Sequence, residues 1–237
     1  MNDLLPEGAA MPAVLHELRT WTNAVSMWTR ILKRHRSAGD VDRALRAIER
    51  SAAAMERFIA DLGILSRGAG TPFRLYLENV NLLTVVDDAL DVVRPKADLK
   101  EISLLWMPQG GGAPVVCGDR LRMQQIICNL LMNAVQFSPP GGRIAITLTT
   151  NKEYARIAIE DSGPGISRAF LPSIFEPFAQ DPRVHHVDGS GLGLAIAKTL
   201  AELQQGRLDV DPGGEGRGAV FHVQLPLVRH QASAAYA

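Results

Sequence analysis

This chain of 237 residues lacks several features that would assign it quickly to a functional class. It has no net charge, with 25 basic and 25 acidic residues, so its composition does not favour nucleic acid or an acidic membrane surface as a partner. It also has no run approaching the roughly 20 apolar residues that span a bilayer, and no basic segment followed by an apolar one at its start. These absences predict a cytoplasmic protein with no membrane segment in this chain.

Cysteine is scarce as well, with Cys117 and Cys128 as the two examples. Neither has a spacing typical of metal ligands, and both lie near or within apolar segments, which predicts buried free thiols. Hydrophobic residues make up 46% of the chain and charged residues 21%. Such a composition can form an ordinary globular core, either as one large domain or as two small ones.

The first part of the chain has the periodicity of two long helices. Apolar side chains recur at three- and four-residue spacing over residues 11–66, interrupted at Ser37–Asp40, where Asp40 is the expected N-cap of the second helix. Because a two-helix hairpin cannot bury its apolar stripe alone, we expect a homodimeric four-helix bundle. The predicted boundaries are 1–68 for the hairpin, 69–72 for a linker, 73–228 for a second domain and 229–237 for a frayed tail.

The second domain mixes strand and helix patterns. The expected strands are 73–77, 102–106, 143–150, 155–160, 207–210 and 219–225, and the expected helices are 82–97, 119–137 and a segment from 193 onward. The predicted fold class is therefore α+β. The helical hairpin is followed by an α/β sandwich with helices on one face of a mostly antiparallel sheet.

Two glycine loops flank one short stretch of this domain. Asp161-Ser-Gly-Pro-Gly165 follows a predicted strand, and Gly189-Ser-Gly-Leu-Gly193 opens an apolar helix. Backbone approaches a phosphate closely only where side chains are absent, and a helix N-terminus offers unpaired N–H groups. One such loop fits an ordinary turn equally well, but the two together favour a nucleotide site.

The helix predicted over 119–137 carries a stripe of amides. Gln125, Asn129 and Asn133 stand four residues apart and so share one face. On so apolar a helix this stripe is either a solvated outer face or the lining of a wet cavity, because burial without partners would be costly. In a cavity, the amide oxygens would suit a Mg²⁺ ion that carries phosphates.

Four segments occur in order along the chain: Asn129–Ala134, Asp161–Gly165, Ile174–Phe178 and Gly189–Leu194. They resemble the N, G1, F and G2 boxes of the sensor histidine kinase catalytic domain, which belongs to the ATPase superfamily shared with gyrase and the heat-shock chaperone. The resemblance implies the sandwich fold of that superfamily, with ATP and Mg²⁺ as cofactors.

The resemblance also implies roles for individual residues. Asn133, assisted by Asn129, would hold Mg²⁺ and phosphate oxygens. Asp161 would accept a hydrogen bond from the adenine amino group, which selects ATP over GTP. Gly163 and Gly165 would allow the base to lie close to the backbone.

A mobile lid over residues 179–188 is expected from the same resemblance. Phe175 and Phe178 would anchor it. The second glycine loop would hinge the lid and direct N–H groups at the phosphates, and its residues are assigned to the nucleotide site: Gly189, Ser190, Gly191, Leu192 and Gly193.

Gln136, also assigned to the nucleotide site, departs from the family pattern. The family often has lysine at this position, and that cation is expected to reach the terminal phosphate. An amide cannot replace a point charge on a phosphoryl group. Arg183 in the lid is a candidate to compensate, and a slower kinase is expected.

A second motif, His16-Glu-Leu-Arg-Thr20, lies on the first predicted helix. It resembles the H box of the same family, so that the resemblance covers roughly residues 10–228. It implies that His16 is the phosphoacceptor and that Glu17 serves as hydrogen-bond acceptor or general base. Thr20 would orient water for dephosphorylation of a partner. The other five histidines match no motif.

Trp21 is the second departure from the family, which usually has proline just after this threonine. Proline removes a helical N–H and crowds the carbonyl four residues back, so it bends a helix. Tryptophan keeps that hydrogen bond and adds bulk. We expect a straighter first helix and an altered balance between kinase and phosphatase states.

The sequence therefore predicts a histidine kinase that passes the phosphoryl group from His16 to an aspartate of a response regulator receiver domain. The chain is expected to be either an excised core or a small kinase controlled by a separate sensor or input protein. Two alternatives stay open. Gln136 and Trp21 fit an ATP-binding scaffold or a histidine phosphotransferase, and a serine kinase acting on an anti-anti-sigma protein would share the ATP domain but lack the His16 hairpin.

Overall fold

The computed structural model describes residues 10–34, 37–66, 74–110, 112–181, 183, 190–214 and 216–228. The helices of this part are α1 (Ala10–Arg34), α2 (Ala38–Leu65), α3 (Leu82–Asp98), α4 (Arg120–Phe137) and α5 (Gly193–Leu203), with a short 3-10 helix at Leu171–Ser173. Its strands are β1 (Glu78–Asn81), β2 (Ser103–Pro108), β3 (Val115–Gly118), β4 (Arg143–Thr150), β5 (Tyr154–Glu160), β6 (Arg207–Asp211) and β7 (Val220–Pro226).

The chain divides into two compact units. The first contains the α1–α2 hairpin, with residues 190–192 grouped with it, and the second contains the other described residues from Arg74 onward. Among the residues that the structure describes, no helix combines the length and the apolar character needed to cross a bilayer. The predicted linker and tail lie outside the described residues.

The second helix of the hairpin begins earlier than the sequence predicts. Its N-cap is Ser37, whose extended backbone lets the hydroxyl oxygen accept a hydrogen bond from Asp40 N at 3.2 Å. Asp40 stands in the first turn, where its carboxylate pairs with Arg43. The prediction of Asp40 as the N-cap is therefore wrong by three residues, because both residue types can cap and the serine comes first.

Helix α1 runs without a break through Trp21. The indole meets the ring of Phe58 edge-on, with ring centroids 5.1 Å apart. Phe58 on α2 is 3% exposed, so this aromatic pair belongs to the apolar seam between the two helices. The bulk that replaces the family's proline is thus used for packing within the hairpin.

The second unit is built on a five-stranded sheet with the order β2-β4-β5-β7-β6. β2 and β4 are parallel, and the other neighbours are antiparallel, which confirms the mostly antiparallel sheet. The parallel pair requires a crossover, and α4 lies within that connection.

One face of this sheet forms the core beneath α3, α4 and α5. β5 alternates strictly at its centre, with Ala155, Ile157 and Ile159 buried on one face. The helices contribute buried aliphatic side chains to the same core, including Val85, Val86, Ile126, Leu130, Leu131, Ile196 and Leu200. The expected α+β sandwich is confirmed, and its core positions α4 and α5 side by side.

The first strand of this unit lies further along the chain than predicted. The expected strand over 73–77 is wrong: residues 74–77 have no regular structure, and β1 pairs with β3 in a separate two-stranded sheet. Tyr76 and Leu77 are exposed, whereas Val80 of β1 is buried opposite Val116, so the strand that reaches the core begins further along the chain. β3, a four-residue strand without an alternating pattern of its own, was not predicted.

The predicted burial of the two thiols holds only in part. Cys117 on β3 is exposed, so its expected burial is wrong, because the two-stranded sheet leaves one face uncovered. Cys128 on α4 is half-buried, and this burial raises the pKa of its thiol. Neither cysteine forms a disulfide.

Candidate active site

The amide face of α4 meets the start of α5. Asp119 caps α4 by accepting a hydrogen bond from Arg122 N at 3.1 Å. Nearly three turns later, the side chain of Asn129 donates from Nδ2 to the carbonyl of Gly193 at 3.1 Å. This contact joins two of the predicted motifs, and it leaves the amide oxygen of Asn129 available to a ligand.

The other two amides of the stripe differ from each other. Gln125 accepts a hydrogen bond from Arg122 on its own helix at 2.9 Å, so it is engaged at the surface of α4. Asn133 is half-buried and makes no hydrogen bond to any residue that the structure describes. Asn129 and Asn133 therefore supply amide oxygens at the face where the sequence predicts Mg²⁺, and such oxygens suit that cation.

Asp161 is the buried carboxylate of the predicted base site. It is 6% exposed, and its Oδ1 accepts hydrogen bonds from Gly163 N at 2.8 Å and Ala219 N at 3.2 Å. Its Oδ2 makes no hydrogen bond within the described residues. One oxygen is thus held by the protein, and the other can accept from an amino group such as that of adenine.

The electrostatics of Asp161 follow from this burial. Desolvation raises the pKa of its carboxyl above the usual range, the two backbone donors oppose that rise, and the neighbouring Glu160 adds to it. A perturbed carboxyl beside close-packed glycine backbone is typical of a functional site.

The glycines of the first loop are required by close packing. A Cβ on Gly163 would lie 3.1 Å from the carbonyl oxygen of Phe137 at the end of α4. Gly165 has a φ of +76°, and a Cβ there would overlap the backbone of Gly214. The first loop therefore lies against α4 on one side and against another glycine-rich segment on the other.

This other segment, 212–218, was not among the predicted parts of the site. Gly218 N donates to the carbonyl of Gly163 at 3.0 Å, and Gly216 N donates to that of Pro164 at 3.1 Å. A Cβ on Gly218 would overlap the carbonyl of Asp161. Its four glycines within six residues were a visible signal, but their contact with the first loop spans more than fifty residues of chain.

The predicted lid anchors lie between the two loops in sequence. Phe175 is half-buried beneath the ammonium group of Lys198 on α5, at 5.3 Å from Nζ to the ring centroid. Phe178 has a φ of +65°, which is uncommon for a residue other than glycine. The short segment from Phe175 to Phe178 is thus constrained at both ends, by the contact with Lys198 at Phe175 and by the uncommon backbone conformation of Phe178.

Much of the predicted lid, together with Gly189, lies outside the described residues. Arg183 donates to the carboxylate of Asp181, with Nη2 to Oδ2 at 2.8 Å and Nε to Oδ1 at 3.1 Å. This pairing lowers the pKa of the Asp181 carboxyl. Arg183 thus pairs with a carboxylate within the predicted lid, and its compensation for Gln136 stays a prediction.

The end of the second glycine loop is described from Ser190 onward. The hydroxyl of Ser190 accepts a hydrogen bond from Leu192 N at 3.4 Å, and Gly191 has a φ of +70°. Gly193 begins α5, as predicted. Its carbonyl is the acceptor for Asn129, which ties this loop to the N box.

The phosphoacceptor motif lies on α1 in the other unit. His16 is exposed, Glu17 is half-buried, and Thr20 is exposed one turn further on. The hydroxyl of Thr20 donates to the carbonyl of His16 at 3.0 Å. The imidazole is therefore accessible from solvent.

The described residues contain no group of three or more histidine, cysteine, aspartate or glutamate side chains that could hold a metal ion. Any Mg²⁺ at this site would depend on the amide oxygens and on the phosphates that it carries. ATP with Mg²⁺ suits this set of acceptor atoms, which consists of the free Oδ2 of Asp161 and the amide oxygens of Asn129 and Asn133.

Comparison with known families also supports an ATP site in this unit. Residues 118–229 match the family described as histidine kinase-, DNA gyrase B- and HSP90-like ATPases. A hybrid signal transduction histidine kinase D of Dictyostelium discoideum is 30% identical over 90% of this chain and 17% of its own length. The chain spans 17%, 45% and 37% of the first three curated relatives that it matches.

Two solved structures extend the comparison. A mycobacterial sensor histidine kinase, MprB, is 32% identical with a TM-score of 0.58, covering 63% of this chain and 98% of that one. Full-length ShkA in complex with AMPPNP is 27% identical with a TM-score of 0.69, covering 94% of this chain and 46% of that one. The second match includes the helical hairpin as well as the sandwich.

Proposed function

Because this chain belongs to the sensor histidine kinase family, we propose that it binds ATP with Mg²⁺, phosphorylates His16 and passes the phosphoryl group to a response regulator. The observation that carries the proposal is the arrangement around α4. There, Asn129 and Asn133 are half-buried, a hydrogen bond from Asn129 to Gly193 joins two of the sequence motifs, and the buried carboxylate of Asp161 keeps one oxygen free. The AMPPNP bound in the ShkA complex is the nucleotide class that such a site would accept.

The base would be read by Asp161. Its Oδ2 would accept a hydrogen bond from the adenine amino group, while Gly163 and Ala219 hold Oδ1. Guanine has a carbonyl oxygen at the corresponding position, which would face the carboxylate without a proton between them. The same contact therefore provides both affinity and discrimination.

The phosphates would lie against Asn129, Asn133 and the start of α5. Bound Mg²⁺ would neutralise charge that develops on the transferred phosphoryl group. The N–H groups at the start of α5 supply further donors, since a helix N-terminus favours anions. We assign the second glycine loop to this role, with Phe175 and Phe178 as the anchors of the segment before it.

The reaction is a phosphoryl transfer to nitrogen. The neutral imidazole of His16 attacks the γ-phosphorus of ATP, a new N–P bond forms, and the bond from that phosphorus to the bridging oxygen breaks, so that ADP leaves. Glu17 would accept the hydrogen bond of the other ring N–H and stabilise the charge that develops there. The phosphoryl group then moves to a carboxylate oxygen of the regulator's aspartate and restores the free imidazole.

We assign residues 1–68 to dimerisation and phosphotransfer and residues 73–228 to ATP binding. In the dimer, the apolar side chains that the single hairpin leaves exposed would be covered, among them Met11, Leu15, Met27, Leu45 and Ile59. The regulator would dock on the exposed surface around His16, and a separate sensor or input protein would supply the stimulus. Thr20 would orient water if the protein also dephosphorylates its regulator.

Incubation of the pure protein with γ-labelled ATP and Mg²⁺ tests this proposal. We expect an acid-labile and alkali-stable label that is lost in His16→Ala and retained in His35→Ala, a histidine that matches no motif. Label that persists in His16→Ala would contradict His16 as the acceptor. Transfer is then measured as loss of label from the kinase when a receiver domain is added.

One departure favours a second candidate, an ATP-binding scaffold or a phosphotransferase. Gln136 stands where the family often has a lysine, and Arg183 is engaged by Asp181. Tight binding of ATP without any label on the protein would support the scaffold. Label on His16 that appears only after addition of another phosphorylated protein would support the phosphotransferase.

A further inference from the structure

The carboxyl-terminal end of α4 is held by a lysine from another element. Lys100 lies in the turn between α3 and β2, and its Nζ donates to the carbonyls of Val135 at 2.9 Å, Gln136 at 2.8 Å and Ser138 at 2.8 Å. The last four carbonyls of a helix have no partner within it, and α4 has no basic residue in its last turn. One ammonium group thus supplies both the missing donors and the positive charge that the end of the helix dipole favours.

Lys100 is itself fixed on both sides. Its backbone N–H donates to Ala97 at the end of α3 at 3.0 Å, and its carbonyl accepts from Gly141 in the turn before β4 at 3.0 Å. The next residue, Glu101, has a φ of +57°, an uncommon conformation that the surrounding contacts maintain. A constrained turn therefore positions the Lys100 side chain at the end of α4. Burial lowers the pKa of its ammonium group, and the nearby charge of Lys96 lowers it further.

The end of α4 is also where the helix meets the loop that reads the base. Ser138 is 1% exposed, and its hydroxyl accepts a hydrogen bond from Ser162 N at 3.4 Å. The carbonyl of Phe137 faces Gly163 so closely that a Cβ there would lie 3.1 Å away. A shift of this end would move Asp161 relative to Asn129 and Asn133, because Asp161 precedes Ser162 directly.

We propose that Lys100 is a positioning residue for the nucleotide site, whose ammonium group fixes the end of α4 against the Asp161 loop and so sets the preference for ATP over GTP. This inference rests on the proposed function, since it concerns how the same site reads the base. The phosphate contacts are common to both nucleotides, whereas the contact to Asp161 serves ATP alone. Loss of the ammonium group should therefore weaken ATP binding more than GTP binding.

Four variants of the full chain test the proposal, with dissociation constants for ATP-Mg and GTP-Mg measured by calorimetry and folding checked by circular dichroism. In Lys100→Met, which keeps an unbranched side chain, we expect the Kd for ATP to rise about tenfold, with a smaller change for GTP. Lys100→Arg keeps the charge and should restore most of the ATP preference. Lys96→Met removes an exposed lysine of α3 and should leave both constants at the parent values.

A folded Lys100→Met protein with the parent ratio of ATP to GTP affinity would overturn the inference. The inference would also be overturned if the ratio in Lys100→Arg were no higher than the ratio in Lys100→Met. If Lys100→Met does not fold, Ser138→Ala decides, because it removes only the hydroxyl that meets Ser162 N. It should lower the ratio about threefold, and an unchanged ratio would contradict the proposal. A parent protein that binds ATP but leaves His16 unlabelled would contradict the proposed function. The ratio of ATP to GTP affinity in the Lys100 variants would still test the role of Lys100.

Discussion

Two helices carry the side chains assigned to function, and the structure holds them in opposite ways. α4 is secured at both ends: Gln204 accepts from Asp119 N at 2.8 Å at its start, and Lys100 donates to its last carbonyls. Around His16 on α1, by contrast, the side chain is exposed, and the hydroxyl of Thr20 bonds only to the backbone of its own helix.

The difference fits the roles that we propose for the two helices. A site that discriminates between bases needs donors and acceptors that are already in place, since ordering them during binding costs affinity. A phosphoacceptor must be reached in turn by a nucleotide and by a protein partner, so an accessible side chain serves it better. Mutations on the two helices should therefore have different consequences.

The largest expected effect tests whether the hairpin tolerates a bend. Trp21→Pro should lower the free energy of unfolding by about 3 kcal/mol or more, because proline removes a helical hydrogen bond and the contact with Phe58 is lost as well. It should also change the balance between autophosphorylation and dephosphorylation of the regulator. Thermal or urea unfolding measures the first effect, and labelled-phosphate assays measure the second.

Trp21→Phe is the matched control, because it keeps both the N–H and an aromatic ring beside Phe58. It should stay close to the parent in stability and in both rates. Unchanged rates in Trp21→Pro, for both reactions, would show that the helix bend at this position does not govern switching.

The next effect separates function from stability at the rigid site. Asp161→Asn should weaken ATP binding about a hundredfold, because the amide can present an N–H₂ group where the adenine amino group needs an acceptor. Its stability should stay the same or rise slightly, since a buried charge is removed and an amide oxygen can still accept from Gly163 and Ala219. Calorimetry and thermal unfolding of the same sample measure both.

Glu160→Gln is the control for Asp161→Asn. It removes the neighbouring exposed carboxylate and should leave ATP affinity near the parent value. Parent-like ATP affinity in Asp161→Asn itself would refute the assignment of this carboxylate to the base.

A smaller effect is expected at the junction of α4 and α5. Asn129→Ala removes the hydrogen bond to Gly193 and should cost about 1 kcal/mol of stability. We also expect about a tenfold loss of affinity for ATP-Mg. Gln125→Ala, one turn earlier, changes an amide engaged by Arg122 on the same helix. Equal losses of affinity in the two variants would contradict a special role for Asn129.

The smallest effect concerns pH. Because burial raises the pKa of Asp161 in the folded protein, the folded state holds that proton more tightly than the unfolded state does. Its contribution to stability is therefore most favourable below the unfolded pKa and is lost as pH rises through the folded pKa. ATP affinity should change in the opposite sense and fall on acidification through the raised pKa, because the protonated carboxyl is a poorer acceptor.

Titration of ATP affinity against pH, at constant ionic strength, measures this effect. Asp161→Asn should show no such component. An acid-side decrease of the same size in that variant would place the titrating group elsewhere.

The sequence identified most of the sandwich because its signals are local. α4 ends where predicted and is capped by Asp119, β4 has its predicted bounds, and α5 begins at Gly193. The wrong position of the first strand and the unpredicted β3 have the same cause. β1 and β3 are short, and each is stabilised by pairing with the other rather than by its own pattern.

The sequence by itself determined the family, the order of the motifs and the two departures at Trp21 and Gln136. Periodicity, capping residues and glycine spacing act over a few residues, so they can be read along the chain. Only the tertiary structure decided that Lys100 closes the end of α4 and that the segment 212–218 packs against the Asp161 loop. These contacts join residues far apart in the chain, and their partners are backbone carbonyls and N–H groups, which every sequence has and no motif marks.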